Sequence, residues 1–61
     1  MDNNALFHQV YANLLFAARN EIVVVIDSQP LSWNAARIEV ENNTEKSKQI
    51  LRKLIDMKII Q

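Results

Sequence analysis

Leu31-Ser32-Trp33-Asn34-Ala35-Ala36-Arg37-Ile38-Glu39-Val40-Glu41-Asn42 is the stretch whose reading decides the fold, because it carries two apolar periods at once. As a helix capped by Ser32, it sets Trp33, Ala36 and Val40 on one face and Leu31, Ala35 and Ile38 on another. As a strand, it alternates Ile38 and Val40 with Arg37, Glu39 and Glu41. Asn34-Ala35-Ala36-Arg37 favours helix by intrinsic propensity, and the helical reading is adopted. The strand reading would convert an α-β-α-α order into α-β-β-α with a hairpin.

Upstream, Ile22-Val23-Val24-Val25-Ile26 is an unbroken β-branched run between Glu21 and Asp27, the signature of a strand. It does not alternate, so it predicts a strand with apolar contacts on both faces, in the middle of a sheet or between two layers. Ser28-Gln29-Pro30 should break it and begin a turn, since Pro30 lacks an N–H and biases Gln29 towards extended geometry. Further upstream, residues 3–19 repeat Phe7, Val10, Tyr11, Leu14 and Ala18 at helical spacing, with Asn3 or Asn4 available as the cap. Phe16 projects from the opposite side of that helix beside Ala5 and Ala12, which marks a second surface to be covered.

Downstream, Asn42 and Glu45 have capping-box spacing ahead of Ile50, Leu51, Leu54, Ile55 and Met57, which form one apolar arc. Lys46, Lys48, Gln49, Arg52 and Lys53 lie opposite. Ile59 and Ile60 are expected as a short extended tail beside the strand. The whole is one small domain over residues 1–61, α+β and mainly α.

Sixty-one residues lie near the size at which one core alone gives little stability, and with no cysteine for a disulfide the remaining support is association with another subunit. A dimer is therefore expected, formed by pairing the Ile22–Ile26 strand or by packing the Phe16 side of the first helix, with Phe16, Ile22, Val24 and Ile26 as its interface. Hydrophobic residues make up 49% of the chain and charged ones 23%, the balance of a folded chain and not of a disordered tail. No apolar run approaches membrane-spanning length and no secretory signal pattern is present, so a cytoplasmic location without membrane partners is the expectation.

The net charge of zero conceals an asymmetry. Lys46, Lys48, Arg52, Lys53 and Lys58 crowd the last sixteen residues against Asp56 alone, whereas residues 1–45 hold six acids against Arg19 and Arg37. One end is thus built to meet an anionic surface, either DNA or an acidic protein face. Catalysis has little to work with. The sole histidine, His8, has no nucleophile at a recognisable spacing; Asp27 at the strand end reads as a turn residue; Glu39 and Glu41 lack a third ligand for a metal. The absence of glycine removes any glycine-rich phosphate loop. No enzyme activity, metal or cofactor is expected.

Leu31-Ser32-Trp33-Asn34-Ala35-Ala36, Asn42-Asn43-Thr44 and the run Ile50 to Ile60 together resemble the helix-turn-helix core of winged-helix DNA-binding domains, over about half the chain. The resemblance implies a short helix opened by Ser, a tight turn, and a recognition helix ending in an aliphatic pair. It assigns DNA contacts to Lys46, Lys48, Gln49, Arg52 and Lys53, with Thr44 on a phosphate. The chain departs from that pattern at Lys58, where the family usually has Gly, and at Asn42-Asn43, where no Gly relieves the turn. No wing hairpin follows within the sequence. The implied function is that of a small dimeric transcriptional or plasmid-type regulator; the competing expectation is a non-enzymatic interaction module.

Overall fold

In the computed structural model, which describes residues 2–60, the deciding stretch is a helix. This helix, α2 (Trp33–Glu41), starts at Ser32, whose Oγ accepts from the Ala35 N–H at 3.1 Å. It buries Trp33, Ala36 and Val40. Helical and strand periods disagree about Ile38, and the outcome separates them: Val40 is 1% exposed and Ile38 52%.

The element order is α1 (Asn3–Ala12), a short 3-10 helix (Phe16–Asn20), β1 (Ile22–Ile26), β2 (Gln29–Ser32), α2 and α3 (Glu45–Asp56). The sequence reading lacked β2. Asp27 and Ser28, at φ 50° and 67°, form a two-residue turn of the kind that joins antiparallel strands, so the chain reverses before Pro30 and not at it. In such a hairpin the pair flanking the turn, Ile26 with Gln29, is the hydrogen-bonded one. Val25 with Pro30 is then a non-hydrogen-bonded pair, so the nitrogen of Pro30 faces away from β1 and its missing N–H removes no ladder bond.

The expectation of a strand buried on both faces fails as well. β1 belongs to a two-stranded sheet, and its inward residues are Val24 and Ile26 while Ile22 and Val25 are exposed. A register shift between Ile22 and Val24 explains the loss of alternation, because the extra residue leaves Val23 half-buried against the core.

The first helix is shorter than its periodicity suggests. Asp2, not Asn3 or Asn4, is the cap, its Oδ1 accepting from the Ala5 N–H at 2.7 Å. At the other end Asn13 terminates α1, its side-chain amide donating to the Gln9 carbonyl at 3.0 Å. Leu15 is extended, and the 3-10 helix then folds back onto α2, where Asn20 accepts from the Asn34 amide at 2.8 Å.

Two helices end alike, without glycine. Asn43 at φ 50° closes α2, with its N–H on Val40 O and that of Thr44 on Glu39 O. Lys58 at φ 59° closes α3, with its N–H on Ile55 O and that of Ile59 on Leu54 O. Both are Schellman closures, in which two amides satisfy carbonyls of the last turn. The second turns the chain inward, so Ile60 is fully buried beneath α3 and the expected strand-like tail does not form. The core gathers Phe7 from α1, Val24, Ile26 and Leu31 from the hairpin, Trp33, Ala36 and Val40 from α2, and Ile50, Leu51 and Leu54 from α3. Trp33 is thus a core residue, its ring 5.6 Å from that of Phe7.

Candidate nucleic-acid interface

The outer face of α3 is positioned from both ends. Thr44, and not Asn42, is its cap: Thr44 Oγ1 accepts from the Ser47 N–H at 3.1 Å and donates to Glu39 Oε1 at 2.6 Å. Asn42 instead closes α2, its amide donating to the Ile38 carbonyl at 2.8 Å. α2 and α3 are therefore joined by only Asn42-Asn43-Thr44, and the Thr44–Glu39 bond ties the turn to the preceding helix. Thr44 is half-buried in this role.

The amphipathic pattern of α3 is realised with Ile50, Leu51 and Leu54 inward, Ile55 half-buried and Lys48, Gln49, Arg52 and Lys53 exposed, but Met57, expected on the apolar arc, caps the helix end and is exposed. The cations are not equivalent. Lys46 Nζ donates to Gln29 Oε1 at 2.9 Å and Lys53 Nζ to the Val25 carbonyl at 2.9 Å, so both reach sideways to the hairpin. Lys48 makes a loose ion pair with Glu45, at 3.4 Å and well exposed, which adds little stability. Arg52 makes no hydrogen bond or ion pair among the described residues. Glu45, Lys48, Gln49, Arg52 and Asp56 follow one another along the helix surface as a single stripe, with acids at its ends and a basic, amide-bearing centre.

Between this stripe and the hairpin turn runs an open groove of about 450 Å³, floored by Ile26 and walled by Lys48, Gln49, Arg52 and Lys53, with Asp27 and Glu45 on its rim. These four side chains all carry donors, a set suited to phosphate oxygens and to purine acceptor edges. No cluster of three or more metal-binding side chains occurs among the described residues, and no helix among them is long and apolar enough to cross a membrane.

Of the four residues expected at an oligomer interface, two have inward side chains and two are exposed. Val24 and Ile26 are 4% and 2% exposed because their side chains belong to the chain's own core. Phe16 and Ile22 remain on the surface. Phe16, at 82%, stands with Leu15, at 81%, at the 3-10 helix and not on the back of α1.

The sequence does not announce a polar cluster that α1, the 3-10 helix and α2 build together. Arg19 and Arg37, the two cations of the first 45 residues, both lie on the Tyr11 ring, at 4.4 and 5.3 Å from its centroid. The Tyr11 hydroxyl donates to Asn34, whose amide bonds Asn20, and Arg37 also pairs with Glu41 at 2.9 Å. Only the scarcity of cations in that half hinted that these two have specific partners. No family model, curated protein or solved structure matches the chain.

Proposed function

We propose that this chain is a small dimeric, cytoplasmic DNA-binding protein, a transcriptional or plasmid-type regulator that presents α3 to the major groove. The observation that carries the reading is the α2–turn–α3 unit. Two helices are joined by a three-residue turn, and the second exposes Lys48, Gln49 and Arg52 while its other face is core. A helix held in this way fits the major groove, and a bidentate Arg or Gln on its surface matches guanine or adenine edges. Lys48 and Arg52 are the primary contacts. Lys46 and Lys53 set the angle of α3 on the hairpin and meet flanking phosphates, and Thr44 holds the turn. The groove beside α3 supports the same reading, since Lys48, Arg52 and Lys53 all line it.

The test is fluorescence anisotropy with duplex DNA over a salt series. Binding should weaken steeply with salt, and Lys48→Gln with Arg52→Gln should lower the log–log slope by about 0.9 for each phosphate no longer neutralised. Absence of binding at low salt, or a slope that the double variant leaves unchanged, would refute it.

A second reading, an interaction module whose basic helix meets an acidic protein surface, is favoured by Leu15 and Phe16, an apolar pair almost fully in solvent. It expects Phe16→Asp to abolish assembly in a protein that does not bind DNA.

A further inference from the structure

We infer that the outer edge of β1 pairs with β1 of a second copy, antiparallel about a two-fold axis, with each copy's Lys53 answered by Glu21 of the other. The inference concerns the dimer and stands whether or not α3 binds DNA. It begins from the direction of the Val25 backbone. Val25 faces Pro30 in the non-hydrogen-bonded pair, so its N–H and C=O point away from β2 into open space. The Lys53 ammonium, 2.9 Å from that carbonyl oxygen, occupies the position that a neighbouring strand's N–H would take.

Beside this edge lies a groove of about 340 Å³ lined by Ile22, Val23, Val24, Val25, Lys53 and Met57. Ile22, Val25 and Met57 are exposed there, so a strand laid along β1 would cover apolar surface as well as complete the ladder. The edge is β-branched throughout and is a pairing template unless guarded; the register shift at Val23 interrupts its first half, and Lys53 guards the second.

The charges select a second copy, in the antiparallel sense. Glu21 stands at the start of β1, and its carboxylate makes no hydrogen bond or ion pair among the described residues. Lys53 stands over the other end. Antiparallel self-pairing brings the start of one strand to the end of its mate, so Lys53 leaves the Val25 carbonyl for Glu21 of the second copy. There it also separates that glutamate from Asp27 of its own copy, with which it shares a groove. The product is a continuous sheet in the order β2-β1-β1-β2. Because the axis of an antiparallel pair is perpendicular to the sheet, both α3 helices lie on the same side of it.

The test is the mass of the full chain by light scattering and sedimentation over a concentration series. Wild-type protein should be a dimer. Val25→Pro removes only the outward N–H and should give a monomer that still melts cooperatively, whereas Phe16→Asp should remain dimeric. Glu21→Lys and Lys53→Glu should each weaken the dimer by about tenfold or more, and the double exchange should restore it. A wild-type monomer at every concentration, a dimer unaffected by Val25→Pro, or a double exchange no better than the singles would each overturn the inference. Anisotropy on the same samples keeps the two questions apart, since a monomer that binds DNA and a dimer that does not are distinguishable results.

Discussion

Lys58→Gly should leave this protein more stable than Lys58→Ala does, although the chain contains no glycine of its own. Lys58 holds φ 59° so that its own N–H and that of Ile59 can reach the carbonyls of Ile55 and Leu54, both at 2.9 Å. An L-residue in that region carries a clash of Cβ with the backbone of about 1–2 kcal/mol. Glycine removes the clash but adds freedom to the unfolded chain, which takes back about 0.5–1 kcal/mol. The two backbone contributions therefore leave a gain of about 0.5–1 kcal/mol, against which the interaction that Lys58 itself makes is lost. An unfolding entropy of about 2.1 cal/mol/K per residue gives a 61-residue chain about 0.13 kcal/mol/K, so the melting temperature should lie roughly 4–8 °C above that of Lys58→Ala. Asn43→Gly is the internal comparison. Asn43 has φ 50° in the same closure, but asparagine tolerates the left-handed region and the gain should be a few tenths of a kcal/mol. Circular dichroism melts and urea titrations measure both, and the urea slope should not change. A Lys58→Gly protein no more stable than Lys58→Ala, which loses the same side chain but keeps the Cβ, would show that backbone strain is not what this position stores.

Thr44→Ala removes the cap of α3 and strands Glu39 at once; a loss of about 1–2 kcal/mol is expected in urea unfolding, with Thr44→Ser retaining most of the wild-type stability. Phe7→Ala should cost about 3–5 kcal/mol, comparable to the roughly 3–9 kcal/mol that a chain of this length possesses, so its thermal transition should be abolished or brought close to room temperature. Phe16→Asp, at a residue 82% exposed, should leave the stability of a dilute sample within about 0.5 kcal/mol of wild type in urea unfolding, in contrast to Phe7. Arg52→Gln should weaken DNA binding while its melting curve stays unchanged, because Arg52 has no partner to lose among the described residues.

What the sequence disclosed and what it hid divide along one physical line. The burial pattern of α3 was readable because Ile50, Leu51 and Leu54 recur at a single period with charge opposite them. Ser32 was readable as a cap because nothing competes with it. α1 was overextended because Leu14, Leu15 and Ala18 continue the period after Asn13 has closed the helix; a period counts apolar residues and is blind to a side-chain amide taking the Gln9 carbonyl. Asp27-Ser28 is a hairpin turn without the glycine that normally announces one, so the left-handed pair could be seen only in the backbone. Pro30 then misled in the opposite sense. The rule that proline breaks strands concerns an N–H needed by the ladder, and in a two-stranded hairpin half of the N–H groups are not needed.

The candidate interface shows the same division at the level of single side chains. Helical spacing placed Lys46, Lys48, Gln49, Arg52 and Lys53 on the outer surface, but it could not rank them, because rank depends on what lies beside the helix. The hairpin lies there, and it takes Lys46 through Gln29 and Lys53 through Val25. Lys48 and Arg52 are left as the cations of that face whose charge is not committed to holding the fold together. The inward side chains of Val24 and Ile26 were hidden for the converse reason: a run of five β-branched residues does not say which of them α3 packs against. The same packing sets Lys53 over the outer edge of β1. The residue nominated for an anion is thus the residue that covers the Val25 carbonyl, and a substitution there tests the proposed strand pairing as well as recognition.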